Sequence, residues 1–425
     1  MKVFENDTDP EERAWELAKK LVSIDSSDPG AYEGEIGEWL YGYLGQCCKS
    51  WGGSLADQIQ VVREEVLPGR FNVMARIPGK TNGHGLIYIC HMDTVMLGDG
   101  WDENTPPLGA VVRETEEHGK AVLRLYGRGA CDMKSGLACA LAAFEAQVRE
   151  IGKRGELPKQ PFSIICTVDE EDFMRGVEQA IRSGWITKED WVLDTEPTDG
   201  QIQVAHKGRT WFELTVTGIT AHASNPWKGA DAIAAMAEII SSIRKEIAAC
   251  PPHHDLGIST VTFGQIQGGY RPYVVPDSCK VWIDMRLAPP VDTVAACAMV
   301  ERAIKKAEEE IAGVKGSYVI TGDRPYVEKD PDSPFLAHLR ETVKAVVGEE
   351  AEVGTFNGYT DTAVAAGMLG NHNCMSYGPG SLELAHKPNE SVPYEDVKRV
   401  QRVLKELAGK FLWKEEKGHF IHRIM

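Results

Sequence analysis

The sequence predicts an α/β protein that carries a smaller α+β domain inserted into it. Strand-like and helix-like stretches alternate through the first half of the chain, and near Lys207 the pattern changes to strands of period two. A length of 425 residues is long for one domain and comfortable for two.

FNVMARI (71–77), GLIYIC (85–90), AVLRLY (121–126) and FSIICTV (162–168) are rich in β-branched or aromatic residues and read as strands. SGLACALAAFEAQVREIG (135–152) is apolar over a wide face and reads as a helix. This is the rhythm of an α/β sandwich around a largely buried sheet. RTWFELTVTG then alternates with period two and is followed by the helical GADAIAAMAEIISSIRKEIAA. The strands ISTVTFGQIQ and SCKVWIDMRL, the helix DTVAACAMVERAIKKAEEEIAG and the strand SYVITG complete a β-α-β-β-α-β order. That order is the split-βαβ, or ferredoxin-like, unit. After about residue 322 the α/β pattern resumes, closing with a helix around 394–412. The expected division is 207–322 for the insert, with 1–206 and 323–425 forming the larger domain.

Composition narrows the function. Hydrophobic residues make up 43% and charged residues 26%, ordinary for a soluble globular protein. No run of 18 or more apolar residues occurs, and the acidic start MKVFENDTDPEERAW does not read as a signal peptide. The net charge of −17 repels nucleic acid and anionic lipid, so neither is expected as a partner. Ten cysteines lie without repeated spacing, several in apolar contexts such as Cys90, Cys139 and Cys166. Reduced thiols in a cytoplasm are the expectation.

Five stretches place histidines or acids at strand ends. In IYICHMDTV (87–95), His91 and Asp93 share one face of a strand as it leaves the core. GRGACDMKSG (127–136), TVDEED (167–172), LDTEPTD (193–199) and ELAHKPNE (383–390) have the same character. Strand ends on one edge of an open α/β sheet are where such folds build their sites. Together they offer His91, Asp132, Glu170, Glu171, Glu196 and His386, a ligand set suited to Zn²⁺ and also to Co²⁺ or Mn²⁺. Taken alone, H-x-D reads as a hydrogen-bonded pair and Glu170-Glu171 as a solvated helix start. Because neighbouring side chains diverge, one of these two carboxylates can ligate while the other faces a bound water.

GRGACDMKSG also invites a dinucleotide-binding reading, since it follows a strand and opens a helix. Asp132 stands where the third glycine belongs, and an anion beside a pyrophosphate is unfavourable. The same anion disfavours a nucleophilic thiolate at Cys131.

In this order HMDTV, GRGACDMKSG, DEED, TEPT and AHKPNE resemble the motifs of the acetylornithine deacetylase, succinyl-diaminopimelate desuccinylase and carboxypeptidase G family, to which aminoacylases and several dipeptidases belong. The resemblance covers nearly the whole chain. It implies a zinc-peptidase-like catalytic domain with a mixed central sheet, plus a ferredoxin-like lid and dimerisation domain. It implies two zinc ions: one held by His91 and Glu196, the other by Glu171 and His386, with Asp132 bridging. In the family the peptide bond after that aspartate is often cis. Asp93 matches the carboxylate that orients His91, and Glu170 matches the general base acting on a hydroxide between the metals.

His222 of TAHAS matches a histidine that reaches a partner subunit's site to bind the oxyanion, which implies a homodimer or else a large domain closure. GGYRPYVVPD and IDMR match a substrate-gripping segment, with Arg286 for a substrate carboxylate. Tyr273 stands where an asparagine is common, and Ser135 where a glycine is usual. Gly378 and Gly380 would border the pocket opposite the metals. The implied activity is cleavage of an amide or peptide bond in an N-acyl amino acid or small peptide bearing a free carboxylate. A dipeptidase or aminopeptidase of the same family is one alternative, and a non-catalytic metal- or peptide-binding homologue is another. His253 and His254 read as chance neighbours in a Pro-flanked loop, and His419 and His422 lack acidic partners. Trp185, Trp191 and Trp211 read as packing.

Overall fold

A computed structural model describes residues 9–81, 83–356 and 358–413. The chain divides into two compact units. The first takes the chain up to Gln203, Asp330–Val353 and the chain from Thr360 onward; the second takes Val204–Lys329 and Gly354–Tyr359. His419 and His422 lie outside the described residues. No helix among the described residues is long and apolar enough to cross a membrane.

The large sheet has eight strands in the order Val353–Phe356, Ile202–His206, Cys374–Gly378, Trp191–Pro197, Leu86–His91, Phe162–Thr167, Arg70–Ile77 and Gln60–Leu67. Four neighbours in its middle, from Cys374–Gly378 to Phe162–Thr167, run parallel. Arg70–Ile77 and Gln60–Leu67 add on antiparallel, so the sheet is mixed. Leu86–His91 and Phe162–Thr167 are buried at every position, which is why they read as unbroken apolar runs rather than alternating ones. Burying each large side chain there is worth about 1.5–3 kcal/mol. The small-residue helix Lys134–Arg154 packs on the central strands and on the helices Arg13–Val22 and Tyr394–Trp413. It approaches the central strands closely at Gly136, where a Cβ would lie 2.1 Å from the Thr195 carbonyl oxygen. The Tyr88 hydroxyl donates to the Leu404 carbonyl at 2.7 Å, tying the central strand to the last helix.

One strand expectation needs correcting. AVLRLY forms the strand Lys120–Tyr126, but it lies outside the large sheet. It pairs with Val111–Glu117 as a hairpin and with Ser391–Pro393 along its other edge. Its first half is largely open in that small sheet, with Leu123 37% exposed, while Arg124 and Leu125 are buried. The pairing Tyr126↔Ser391 brings the chain after residue 126 beside the chain before residue 391, which matters for the site below.

The second unit has the four-stranded antiparallel order Thr260–Gly268, Ser278–Leu287, Gly208–Thr217, Lys315–Arg324, with helices Ala232–Ala248 and Thr293–Glu310. This is the split-βαβ arrangement. Phe212, Leu214 and Val216 alternate inward with Val281, Ile283 and Met285, meeting Met236, Ile239 and Val300 of the helices. Asp231 caps one helix by accepting from Ile233 and Ala234 N–H, and Asp292 caps the other at Ala295 N–H. Each such cap contributes about 1 kcal/mol. The unit extends beyond 207–322 because its last strand continues to Arg324 and because Gly354–Tyr359 returns to it.

That return segment covers His206, which is 2% exposed beside the rings of Phe356 and Tyr359. Burial lowers the imidazole pKa from 6.5 to about 4, so the folded chain holds it neutral. An unfolded chain takes up that proton near pH 6.5. The contribution is therefore complete above about pH 6.5 and is lost as pH falls toward 4, about 2 kcal/mol of it by pH 5. Urea unfolding at about pH 7 and about pH 5 should show this loss shrinking by that amount in His206→Phe; an unchanged pH difference would contradict it.

Candidate metal centre and active site

The parallel strands end along a common edge, and the chemistry collects there. His91 closes one strand, Glu170 and Glu171 follow Phe162–Thr167, and Glu196 sits near the end of Trp191–Pro197. Asp132 arrives on the loop before the helix Lys134–Arg154, and the peptide bond Asp132–Met133 is cis. His386 arrives on the loop before Ser391–Pro393, with its backbone in the left-handed region at φ 63°. Residues in that region cluster at functional sites.

Asp132 is the hinge of the arrangement. Its Oδ1 lies 3.2 Å from His91 Nε2, and its Oδ2 lies 3.3 Å from His386 Nε2. Around His91, Glu196 Oε1 is 3.7 Å and Glu170 Oε2 3.9 Å from Nε2. Around His386, Glu171 Oε2 is 3.1 Å from Nε2. Donor atoms of His91, Asp132 and Glu171 all fall within 4.8 Å of one another, and so do those of His91, Glu170 and Glu196. The two adjacent glutamates do diverge, Glu171 toward His386 and Glu170 toward His91.

Asp93 works on two neighbours. His91 Nδ1 lies 3.0 Å from the Asp93 carbonyl oxygen and 3.6 Å from its Oδ1, while Oδ2 accepts from the Glu171 N–H at 3.0 Å. A donor to the carbonyl must be Nδ1–H, so Nε2 is the nitrogen left for metal ligation.

The electrostatics call for added positive charge. Burial pushes the Glu170 carboxyl well above the usual carboxylate range, with His91 opposing and Glu171, Asp361 and Asp132 adding to the rise. Burial raises Glu196 likewise, with Asp132 adding to it. His386 is drawn up to about 10, chiefly by its hydrogen bonds with Asp132 and Glu171. Burial works against a charged His91, yet Asp132, Glu170 and Glu196 outweigh it and raise its pKa well above the usual value. Among the described residues no Lys or Arg pairs with Asp132, Glu170, Glu171 or Glu196, whose salt-bridge partners are the two imidazoles. This donor set, buried except at His386 and short of cations, fits divalent metal ions.

Gly378 and Gly380 also reach this unit. A Cβ on Gly378 would lie 2.4 Å from the Glu196 carbonyl oxygen, and one on Gly380 would lie 2.7 Å from Cys131 Sγ. The Gly-Pro-Gly loop therefore packs on the backbone that carries two of the carboxylates. His222, Tyr273 and Arg286 belong to the second unit. There His222 is exposed and its Nδ1 lies 2.8 Å from Ser224 Oγ, while Ala223 N–H donates to the Tyr273 carbonyl. Tyr273 is 58% exposed, and Arg286 is held by Asp284 at 3.0 Å. His253 and His254 lie within ligand distance of Asp255, so their adjacency extends to a small surface cluster.

Sequence reasoning missed Glu390. It is 1% exposed, and its Oε1 accepts from the N–H groups of Cys131 at 2.8 Å and Asp132 at 3.0 Å. Its Oε2 meets Arg128 Nη1 at 2.6 Å. Glu390 thus joins the loop of Asp132 to the loop of His386. Lys134, fully buried, donates to the Ile24 carbonyl at 2.7 Å behind the same loop. Glu390→Gln cannot keep both the paired acceptor and the ion pair with Arg128. Isothermal titration with Zn²⁺ should show metal affinity lowered about 10–100-fold. Unchanged affinity would mean that Asp132 holds its place without Glu390.

Residues 87–410 match the peptidase family M20/M25/M40. An acetylornithine deacetylase of Aliivibrio salmonicida is 28% identical over 394 residues, covering 91% of this chain and 95% of that protein. A tripeptidase of Staphylococcus aureus superposes with a TM-score of 0.70 at 21% identity, covering 94% of this chain and 98% of that one. A Bacillus subtilis dinuclear metal binding peptidase from the M20 family gives 0.65 at 17% identity, covering 95% and 98%. With its sheet, its two units and its cluster of imidazoles and carboxylates, the chain belongs to the M20/M25/M40 family of metal-dependent hydrolases.

Proposed function

We propose that the chain is a dinuclear metal amidohydrolase that cleaves the amide bond of an N-acyl amino acid or a small peptide with a free carboxylate. The observation that carries this reading is the Asp132 carboxylate, shared between His91 and His386 with Glu170 in the same cluster. Two divalent ions, zinc first and cobalt or manganese as substitutes, would be held by His91, Asp132 and Glu196 and by His386, Asp132 and Glu171; they supply Lewis acidity and an activated water. Glu170 is the general base: it removes the proton from the attacking water and delivers it to the departing amine nitrogen. Burial raises the pKa of its carboxyl, which makes the carboxylate a stronger proton acceptor. Asp93 holds His91 in the ligating tautomer. Arg286 and Tyr273 grip the substrate, Arg286 through its carboxylate, and Gly378 and Gly380 border the pocket.

His222 acts across a homodimer, binding the oxyanion in the partner subunit's site. Exposed apolar side chains of the second unit support a dimer, with Trp227 75% exposed and Tyr270 63%. All ten cysteines are free, which suits the cytoplasm. The deacetylase relative favours an N-acyl amino acid, whereas the tripeptidase neighbour keeps a peptidase reading alive as the second choice. A complete ligand set with its base argues against a non-catalytic homologue.

Amine release from a panel of N-acyl amino acids and dipeptides, after metal removal and reloading with Zn²⁺, Co²⁺ or Mn²⁺, separates these readings. Release should require metal, and Glu170→Gln should keep the metal content yet lose about 10²–10⁴-fold in rate. An unchanged rate would remove Glu170 as the base. His222→Ala should keep metal and lower kcat by about 10²-fold or more. Kinetics unaffected by that change would end the trans-acting role.

A further inference from the structure

Away from the metal centre, the first unit holds a cavity of about 260 Å³ with an unusual division of charge. At its base is Tyr377, 0% exposed, whose hydroxyl makes no hydrogen bond. Beside it lies Arg399, whose Nη1 pairs with Asp396 Oδ1 at 2.9 Å while its buried Nε and Nη2 donate to nothing. The Arg399 guanidinium approaches the Tyr377 phenol and opposes the rise that burial causes, but the approach falls short of a well-formed hydrogen bond. Gly200 leaves room for the guanidinium; a Cβ there would lie 3.2 Å from Arg399 Nη2. Buried donors without partners are costly, and three converge here.

The rim is the reverse. Asp199, Glu349 and Glu352 line the opening and are exposed, and none forms an ion pair among the described residues. Glu350, also on the rim, is already matched by Lys344 at 2.8 Å and Arg340 at 3.4 Å. Between base and rim the wall carries Val343 and Val347. A simple anion would satisfy the base but meet repulsion at the rim. A simple cation would suit the rim but leave the base donors unmet.

We infer that this cavity binds a free aliphatic α-amino acid as its zwitterion. The carboxylate accepts from Arg399 Nε and Nη2 and from the Tyr377 hydroxyl, the ammonium faces the rim carboxylates, and the side chain lies on Val343 and Val347. The site sits behind the Gly-Pro-Gly loop: Asp396 also accepts from the Gly380 N–H at 3.3 Å, and Asp199 N–H donates to the Gly380 carbonyl at 2.8 Å.

Calorimetric titration of the metal-loaded full chain with L-leucine, 4-methylpentanoate and 3-methylbutylamine tests this. Leucine should bind with Kd of about 0.1–10 mM, and each half-ligand about tenfold more weakly or worse. Arg399→Met and Tyr377→Phe should each weaken leucine about tenfold or more; the second removes only an unpartnered hydroxyl, so it keeps the fold. His386→Ala, at the metal centre, should leave leucine binding in place. No binding, equal binding of a half-ligand, or binding that survives Arg399→Met but falls in His386→Ala would each overturn the inference.

Discussion

A single carboxylate organises the first unit. Asp132 presents one oxygen to His91 and the other to His386, residues from opposite ends of the sequence, and every other ligand candidate is arranged around that line. Such a group is worth little unless its position is fixed. Here it is fixed from behind, where Glu390 takes the N–H groups of Cys131 and Asp132 and turns its other oxygen to Arg128. A buried charge is tolerated only when paired and hydrogen-bonded. The Asp132 side chain meets the first requirement through imidazoles, and Glu390 meets it through Arg128.

The sheet explains why so many acids can be assembled at one place. Parallel strands deliver their carboxyl ends to the same edge, so His91, the Glu170–Glu171 pair and Glu196 need no long loops to converge. The close approach at Gly136 and Gly378 keeps neighbouring backbones tight at that edge, where any Cβ would strike the Thr195 carbonyl. The small sheet of Val111–Glu117, Lys120–Tyr126 and Ser391–Pro393 then draws the Asp132 and His386 loops together. Rigid strands place the ligands on one side of the centre, and a clamped pair of loops places them on the other. His386, with its side chain 49% exposed, faces the open side.

Much of this was legible because the signals are local. Period-two placement put His91 and Asp93 on one face, unbroken apolar runs marked the central strands, and the β-α-β-β-α-β order marked the second unit. What escaped is non-local. Glu390 stands inside a motif whose histidine was noticed, yet its partners lie 258 and 259 residues away, so nothing near it in sequence reveals the contact. AVLRLY was recognisable as a strand, but propensity does not say which sheet a strand joins. Gly354–Tyr359 joins the second unit only after the chain has returned from the first, and no pattern at those positions announces it. The want of a side chain at Gly378 also serves strand packing, which its place in a Gly-Pro-Gly loop does not announce.

The central claim is that Asp132 bridges two metal ions, and anomalous scattering from crystals of the zinc-loaded chain, recorded above and below the zinc edge, addresses it most directly. Two peaks should appear, one between His91 and Glu196 and one between His386 and Glu171, with the Asp132 carboxylate reaching both. A single peak, or two peaks that Asp132 does not join, would contradict the account.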